Sequence, residues 1–149
     1  MDKIDIKGVI LTPLKVIHNP KGEIFHGIKK SDKGYAGFGE AYFSTIKGGQ
    51  IKGWNRHKIM TLNLIVPKGK VKFVIVAINK QSLNKDNIFE VELSSANYQR
   101  LTIPPGLWVA FKSKTKDTSI VLNIADMEHD STEVDRLDLD QINYNWDSA

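Results

Sequence analysis

The chain has 149 residues, no cysteine and a formal net charge of +4, so we expect one domain over residues 1–149, without disulfides, thiolate metal sites or cysteine nucleophiles. Of its 21 basic and 17 acidic residues, Arg136 and eight acids lie in residues 126–149, which leaves 20 basic against nine acidic residues before them. This basic body favours a phosphate-bearing partner, whereas the absence of a basic stripe interleaved with aromatics argues against nucleic acid.

Short segments rich in β-branched and aromatic residues follow one another along most of the chain, separated by turns that contain Gly, Pro, Asn or Asp. Seven or more short strands without a long helical period predict an all-β sandwich or barrel. Near the end, STEVDRLDLDQI (131–142) fits a short helix with Ser131 as N-cap, and the following NYNW is expected to pack on the barrel through Tyr144 and Trp146. The clearest strand segments are GEAYFSTI (39–46), LNLIVP (62–67), VKFVIVAI (71–78), IFEVELS (88–94), RLTIP (100–104), LWVAFKS (107–113) and SIVLNIA (119–125).

No stretch of the chain is apolar over the length of a bilayer span. The first ten residues, MDKIDIKGVI, alternate charged and apolar residues where a secretory signal needs a continuous apolar run. We therefore expect a cytoplasmic protein with no membrane partner.

The segment GQIKGWNRHKIMTLNLIVPKG (49–69) has the spacing of a metal-binding motif without most of the ligands. Cupin jelly rolls carry a first motif G(X)5HXH(X)3–4E(X)6G, and the chain overlays it at Gly49, Asn55, His57, Leu62 and Gly69. A second cupin motif overlays at Pro104, Pro105, Gly106 and Val109. Only His57 occupies a ligand position, whereas zinc or iron needs about three imidazole or carboxylate ligands. The expected cavity is therefore free of metal and cofactor.

Several longer blocks resemble one family of metal-free cupins, the dTDP-4-dehydrorhamnose 3,5-epimerases, and within it a shorter group of epimerase-like proteins. They include GVILTPLKVIHNPKGEIFHGIK, GFGEAYFS, RHKIMTLNLIVPKGKVKF, NYQRLTIPPGLW and LNIADMEHDSTE. The resemblance implies an all-β cupin-type jelly-roll barrel and a homodimer in which an N-terminal strand crosses to the partner. The segment KIDIKGVILTPLKVI (3–17) suits that role.

The position of the catalytic base differs from the family pattern. In the epimerases an Arg-Gly-x-His segment supplies an arginine near the sugar nucleotide and a histidine that removes the protons beside the 4-keto group. Here Lys52, Gly53, Trp54 and Asn55 take those places, and an amide cannot serve as a general base. The remaining candidate is His57, which alternation along a strand points to the same face as Asn55.

On the strand before it, the family carries polar residues that line the cavity, and counting back from Lys52 places Glu40, Tyr42 and Ser44 there. A buried Glu40 needs a partner, for which Lys52 or Arg56 is available. Each of two residues on this strand has an open alternative. Tyr42 is otherwise a core aromatic with a satisfied hydroxyl, and Glu40 otherwise forms a surface salt bridge.

The family's general acid, a tyrosine on a late strand, has no counterpart in LNIADMEHD. His129 either replaces it or caps the acidic segment through Asp126 or Asp130. Two further candidates for ligand contacts are Asn63, which either reaches the cavity or faces outward, and Trp108, which either stacks on the ligand or packs in the core.

The leading hypothesis is an epimerase or isomerase of a 4-keto-6-deoxy sugar nucleotide, of the dTDP type, in surface polysaccharide assembly. His57, Tyr42 and His129 are its candidate catalytic residues. The alternative is a non-catalytic cupin that binds a nucleotide sugar or glycan. Candidate substrate-binding residues are Lys52, Glu40, Ser44, Asn55, Arg56, Asn63 and Trp108.

Overall fold

A computed structural model describes residues 6–78 and 87–147 of the chain. Two five-stranded antiparallel sheets face each other, and a separate two-stranded hairpin is formed by β2 and β3. The prediction of an all-β protein is confirmed. The strands are β1 (Ile10–Pro13), β2 (Val16–Ile17), β3 (Ile24–Phe25), β4 (Glu40–Ile46), β5 (Ile51–His57), β6 (Leu62–Lys68), β7 (Lys70–Val76), β8 (Ile88–Ser94), β9 (Gln99–Ile103), β10 (Trp108–Ser113), β11 (Ser119–Ala125) and β12 (Val134–Arg136).

The strand order is β1-β9-β6-β11-β4 in the first sheet and β12-β5-β10-β7-β8 in the second. The apolar residues that face inward from both sheets form the main core, and most of them are almost completely buried, as Val71 and Phe73 on β7 and Leu101 on β9 illustrate. Every second residue of β11 is buried, as expected for a strand with one face on the core. The core fills one part of the space between the sheets and leaves a cavity in the other.

A second apolar cluster covers the outer face of the second sheet. Trp54 and Trp108 project outward there, and the C-terminal segment packs over them through Ile142, Tyr144 and Trp146. The indole nitrogen of Trp54 donates a hydrogen bond to the carbonyl oxygen of Leu139 over 3.3 Å. The expected packing of the NYNW segment on the barrel is therefore observed, and it fixes the residues that follow β11 against β5.

The helix expected over residues 131–142 is wrong. The structure has a 3-10 helix at Ser131–Glu133, the strand β12, and a second 3-10 helix at Leu139–Gln141. The N-cap is Asp130, whose carboxylate accepts the amide N–H of Thr132 over 2.9 Å, and not Ser131. The open edge of β5 is the physical reason, because pairing with it satisfies the backbone of Val134–Arg136 in an extended conformation.

Part of the N-terminal segment 3–17 forms β1, which pairs with β9 of the same chain and lies at the edge of its sheet. Residues 3–5 of that segment lie outside the described residues. None of the helices in the described ranges has the length and apolar character needed to cross a bilayer.

Candidate active site

A cavity of about 210 Å³ lies between the two sheets. One wall belongs to β4, β6 and β11, and the other to β5 and β10. Its floor is apolar, whereas a phenol, a hydroxyl, an ammonium, an imidazole and two amides face its interior. The lining residues are Tyr42, Ser44, Lys52, Asn55, His57, Leu62, Leu64, Val109, Phe111 and Asn123.

The strand β5 contributes three polar side chains to one face. Asn55 and His57 share it by the alternation of a strand, as predicted, but Lys52 is three residues before Asn55 and would lie on the other face of a regular strand. An irregular register between β5 and β10 restores the alignment, because Val109 pairs with Asn55 whereas Phe111 pairs with Lys52. The cavity therefore receives all three side chains.

His57 is oriented by a buried carboxylate. Its ring nitrogen Nδ1 contacts Oε1 of Glu133, which is 2% exposed. The other carboxylate oxygen of Glu133 accepts the backbone N–H groups of Ile59 over 3.3 Å and Met60 over 3.2 Å. A carboxylate that accepts the Nδ1 proton leaves Nε2 as the basic nitrogen of the ring. This is the arrangement of a histidine base with an orienting acid.

The hydrogen bonds to Glu133 also determine its charge. Burial alone would raise the pKa of Glu133, but the hydrogen bond with His57 and those from the Met60 and Ile59 amides outweigh it and hold the pKa below the ordinary value of 4.5. Glu133 is therefore ionised at neutral pH and stabilises a positive charge on His57 when the ring takes up a proton.

Backbone contacts place Glu133 beside His57. Its carbonyl oxygen accepts the N–H of Lys58 over 2.7 Å, and Val134 pairs with His57 in the ladder between β12 and β5. Glu133, which lies 76 residues from its partner, is not among the site residues predicted from the sequence. The signal in the sequence was weak, because an acid shortly after the N-cap Asp130 is equally typical of the first turn of a helix.

A second polar pair lies on the opposite wall. The side-chain amide of Asn123 on β11 donates from Nδ2 to the hydroxyl oxygen of Tyr42 on β4 over 3.1 Å. Tyr42 is 43% exposed, so the alternative of a core aromatic is not observed. Asn123, which the sequence analysis did not single out, is the polar residue that the late strand presents to the cavity.

Lys52 contributes the ammonium group of the cavity. Its Nζ donates to the carbonyl oxygen of Thr45 over 2.6 Å, which ties the side chain to β4 of the other sheet. Ser44 and Asn55 also line the cavity, as expected.

The expectation that Arg56 contacts the ligand in the cavity is wrong, and of the two alternatives for Trp108, packing in the core is the one observed. Arg56 lies between Asn55 and His57 on β5, so alternation turns it to the outer face, where its guanidinium bonds Asp135 over 2.8 Å. The same guanidinium is 4.7 Å from the ring centre of Trp108, which is 5% exposed and packs in the outer apolar cluster. The hydrogen bond from Arg56 lowers the pKa of Asp135.

Asn63 also lies away from the cavity. Its side chain is buried on the outer face of the first sheet, where Nδ2 donates to the Gly34 carbonyl oxygen over 3.1 Å. Its Oδ1 accepts from the fully buried Arg100 over 3.1 Å and from Thr102 over 2.6 Å. Of the two alternatives for Asn63, the outward-facing one is observed.

His129 and Glu40 do not line the cavity either. His129 is exposed after β11, and Asp130 caps the 3-10 helix through its own carboxylate. Glu40 begins the face of β4 that continues with Tyr42, but the pairing with Lys52 or Arg56 is wrong, since both cations bond elsewhere. Its Oε1 is buried without a hydrogen-bond partner among the described residues.

Among residues 6–78 and 87–147, no three His, Asp or Glu side chains are grouped so as to hold a metal ion. The cavity holds the groups that acid–base chemistry uses, namely a histidine, a carboxylate bonded to it and a phenol on the facing wall, within a fold of the cupin class. The profile of the dTDP-4-dehydrorhamnose 3,5-epimerase family matches residues 3–149, and the chain therefore belongs to that family. The prediction of an enzyme of the epimerase and isomerase type is confirmed.

Solved structures support the jelly-roll prediction. A dTDP sugar isomerase from Desulfovibrio desulfuricans G20 is 29% identical, with a TM-score of 0.88 over 97% of this chain and 94% of that one. The 3'-monoepimerase ChmJ from Streptomyces bikiniensis, in complex with dTDP-quinovose, is 13% identical with a TM-score of 0.83 over 99% and 79%. A histidine-to-asparagine variant of the 3,4-ketoisomerase QdtA from Thermoanaerobacterium thermosaccharolyticum, in complex with TDP-4-keto-6-deoxyglucose, is 23% identical with a TM-score of 0.73 over 89% of each chain. No curated protein sequence matches the chain.

Proposed function

We propose that the chain is a cytoplasmic epimerase or isomerase that acts on a 4-keto-6-deoxy sugar nucleotide, of the dTDP type, in surface polysaccharide assembly. The observation that carries the proposal is the contact between His57 and the buried Glu133 at the wall of the cavity. The ligands of ChmJ and QdtA, dTDP-quinovose and TDP-4-keto-6-deoxyglucose, support the choice of substrate class.

In the proposed reaction the ketone acts as the electron sink. The Nε2 atom of His57 takes a proton from the carbon beside the ketone, the C–H electron pair moves toward the carbonyl carbon, and the ketone becomes an enolate. Glu133 stabilises the imidazolium that forms, since it is ionised and bonded to Nδ1. The reaction is completed when a proton is returned and the enolate becomes a ketone again.

Lys52 and Tyr42 are the candidates that hold the enolate oxygen. Both line the cavity, and an ammonium or a phenol hydroxyl aimed at a developing negative charge lowers the barrier to its formation. Ser44 and Asn55 supply further hydrogen bonds to the sugar.

Nucleotide binding is testable without knowing the sugar. We expect dTDP to raise the melting temperature of the protein, and Lys52→Ala to reduce that increase, because the ammonium lies in the cavity within a basic body. Lys116→Ala, which removes an exposed lysine that does not line the cavity, is the matched control. An equal increase in melting temperature in Lys52→Ala and the wild type would mean that the diphosphate does not bind at Lys52.

We also propose a homodimer. The hairpin of β2 and β3 supports it, because Ile17, Ile24 and Phe25 are 38%, 57% and 40% exposed there and would be covered by a second subunit. Sedimentation equilibrium measures the mass directly, and a single species of 16.8 kDa at micromolar concentration would contradict this proposal.

The decisive experiment measures hydrogen exchange at carbon. The protein is incubated in D2O with dTDP-4-keto-6-deoxyglucose, and deuterium at C3 and C5 is followed by NMR. We expect exchange in the wild type and a loss on the order of 10² to 10⁴ in His57→Asn, the usual contribution of a positioned general base. Tight binding without exchange across several 4-keto sugars would contradict the proposal and leave the non-catalytic binding role.

A further inference from the structure

The orientation of the Asn123 side chain is fixed by a backbone group. Asn123 is 3% exposed, and its Oδ1 accepts the backbone N–H of Asn63 on β6 over 3.2 Å. A backbone N–H can only donate, so the amide atom that faces it must be the oxygen. The NH₂ group of Asn123 is thereby turned toward the hydroxyl oxygen of Tyr42.

This arrangement determines which way the phenol hydroxyl donates. An amide N–H can only donate, so the oxygen of Tyr42 is the acceptor of that bond and its own O–H remains available to a ligand. A rotating hydroxyl would otherwise be free to donate to any nearby acceptor. Asn123 thus fixes both the position and the direction of the phenol.

We infer that Asn123 is a positioning residue that makes Tyr42 the proton donor of the reaction, in place of the tyrosine that the family carries on a late strand. The inference rests on the proposed function. Tyr42 lies on β4 in the first sheet and His57 on β5 in the second, and both line the same cavity. A sugar ring held between the sheets therefore meets the base on one face and the phenol on the other.

Two protons move in the proposed reaction. His57 gains the carbon-bound proton, and the electron pair of that bond forms the enolate. While Lys52 holds the enolate oxygen, Tyr42 gives its hydroxyl proton to the carbon from the facing wall, the enolate returns to a ketone, and the phenol is left as a phenolate that accepts the N–H of Asn123. The imidazolium then loses a proton to solvent and the phenolate gains one, which restores both groups.

The test separates removal of the proton from its return. Without a competent phenol, His57 still removes a proton and returns one to the same face, so deuterium enters recovered substrate while product falls. With dTDP-4-keto-6-deoxyglucose in D2O, we measure the ratio of product formed to deuterium in recovered substrate. We expect Tyr42→Phe to lower this ratio by about 10²-fold or more, as expected for loss of a general acid.

The informative variant is Asn123→Asp, which keeps an acceptor for the Asn63 amide but presents an oxygen to Tyr42. The phenol then donates to Asp and is withdrawn from the ligand, so we expect the ratio to fall at least about tenfold. The double variant with Tyr42→Phe should be no worse than Tyr42→Phe alone, since Asn123 acts only through the phenol. If Asn123→Asp does not fold, Asn123→Ala, which removes the donor that fixes the phenol without withdrawing it from the ligand, should lower the ratio by a smaller factor.

Ser119→Ala is the matched control, because Ser119 is a buried polar residue on the same face of β11 that does not line the cavity. It should lower the melting temperature without changing the ratio. An unchanged ratio in Asn123→Asp, in a wild type that exchanges normally, would overturn this inference alone. A wild type that shows neither exchange nor product would overturn the proposed function and this inference with it.

Discussion

Glu133 uses its two carboxylate oxygens for two purposes. One contacts His57, and the other accepts the backbone N–H groups of the turn that follows β5. The bonds to the turn hold the carboxylate in place, so the imidazole is oriented by a group that is itself fixed. In the proposed reaction, the negative charge of Glu133 stabilises His57 when the ring becomes an imidazolium.

We expect Glu133→Gln to lower carbon–deuterium exchange by about 10²-fold, because the amide has the shape of the acid but not its charge. Asp135→Asn is the matched control, since Asp135 is a carboxylate two residues further along that bonds Arg56 on the outer face. Its exchange rate should stay within about threefold of the wild type. Equal exchange rates in Glu133→Gln and Asp135→Asn would mean that the contact between Glu133 and His57 does not contribute to removal of the proton.

The stability of the protein should fall in acid. The pKa of Glu133 is lowered on folding, so the unfolded chain binds a proton near its ordinary value of 4.5 while the folded chain does not. Stability is therefore fully present above that pH and is lost as the pH falls through the folded value. Urea unfolding between about pH 3 and pH 7 should show this decline in the wild type and a smaller one in Glu133→Gln. Asp32, Asp130 and Asp135, whose pKa values are also lowered, account for the remaining decline.

At the scale of the elements, β5 and β10 approach each other closely at Gly53. A Cβ atom added to Gly53 would lie 2.3 Å from the Cβ atom of Ala110 on β10, and the φ angle of Gly53 is +148°. The irregular register that brings Lys52 into line with Asn55 occurs at the same place. A small side chain on both strands is therefore needed to form this wall of the cavity.

We expect Gly53→Ala to destabilise the fold by about 1–3 kcal/mol, as overpacking does. The double variant with Ala110→Gly should recover part of this loss, because it removes the atom with which the new methyl group collides. Gly49→Ala, which also has a positive φ but nothing within 4 Å of the added atom, separates backbone strain from the collision. No recovery in the double variant would show that the Ala110 methyl group is not the cause, which leaves backbone strain and the Cα atom of residue 110, 2.8 Å from the added atom. Urea unfolding measures all four proteins.

The direction of the side chains was predictable on strands that bury one face. Strand alternation predicted that Tyr42 and Ser44 share one face of β4. It also predicted that Asn55 and His57 share one face of β5, and both predictions agree with the cavity lining. The same rule, applied strictly, also indicates that Arg56 faces outward. The partnership of His57 with Glu133 was not predictable, because it depends on a strand pairing between β5 and β12 that leaves no local pattern in the sequence.

At the scale of the whole molecule, the residues that line the cavity differ from the ligand set of the cupin metal motifs. Leu62 and Val109 line the cavity at two positions where the cupin motifs carry ligands, and Nδ1 of His57 is already bonded to Glu133. Asn55 adds only an amide. The metal-ligating groups that remain in the cavity are fewer than the roughly three that zinc or iron needs.

We therefore expect the purified, untagged protein to hold no stoichiometric transition metal and to keep its melting temperature and exchange activity in EDTA. Elemental analysis that finds about one zinc, iron or manganese atom per chain would contradict this prediction. A loss of activity in EDTA that added metal restores would contradict it as well.

Glu133 follows, in chain order, every strand that contributes a lining residue to the cavity. A nascent chain that has emerged from the ribosome only as far as Ala125 contains the complete set of lining residues but not the acid behind the base. All residues that line the cavity are therefore synthesised before Glu133, the acid that orients His57. Premature termination between these two points would remove Glu133 together with β12 and the segment that packs over Trp54 and Trp108, so the product would lose the group that orients His57 and the cover of the outer apolar cluster at once.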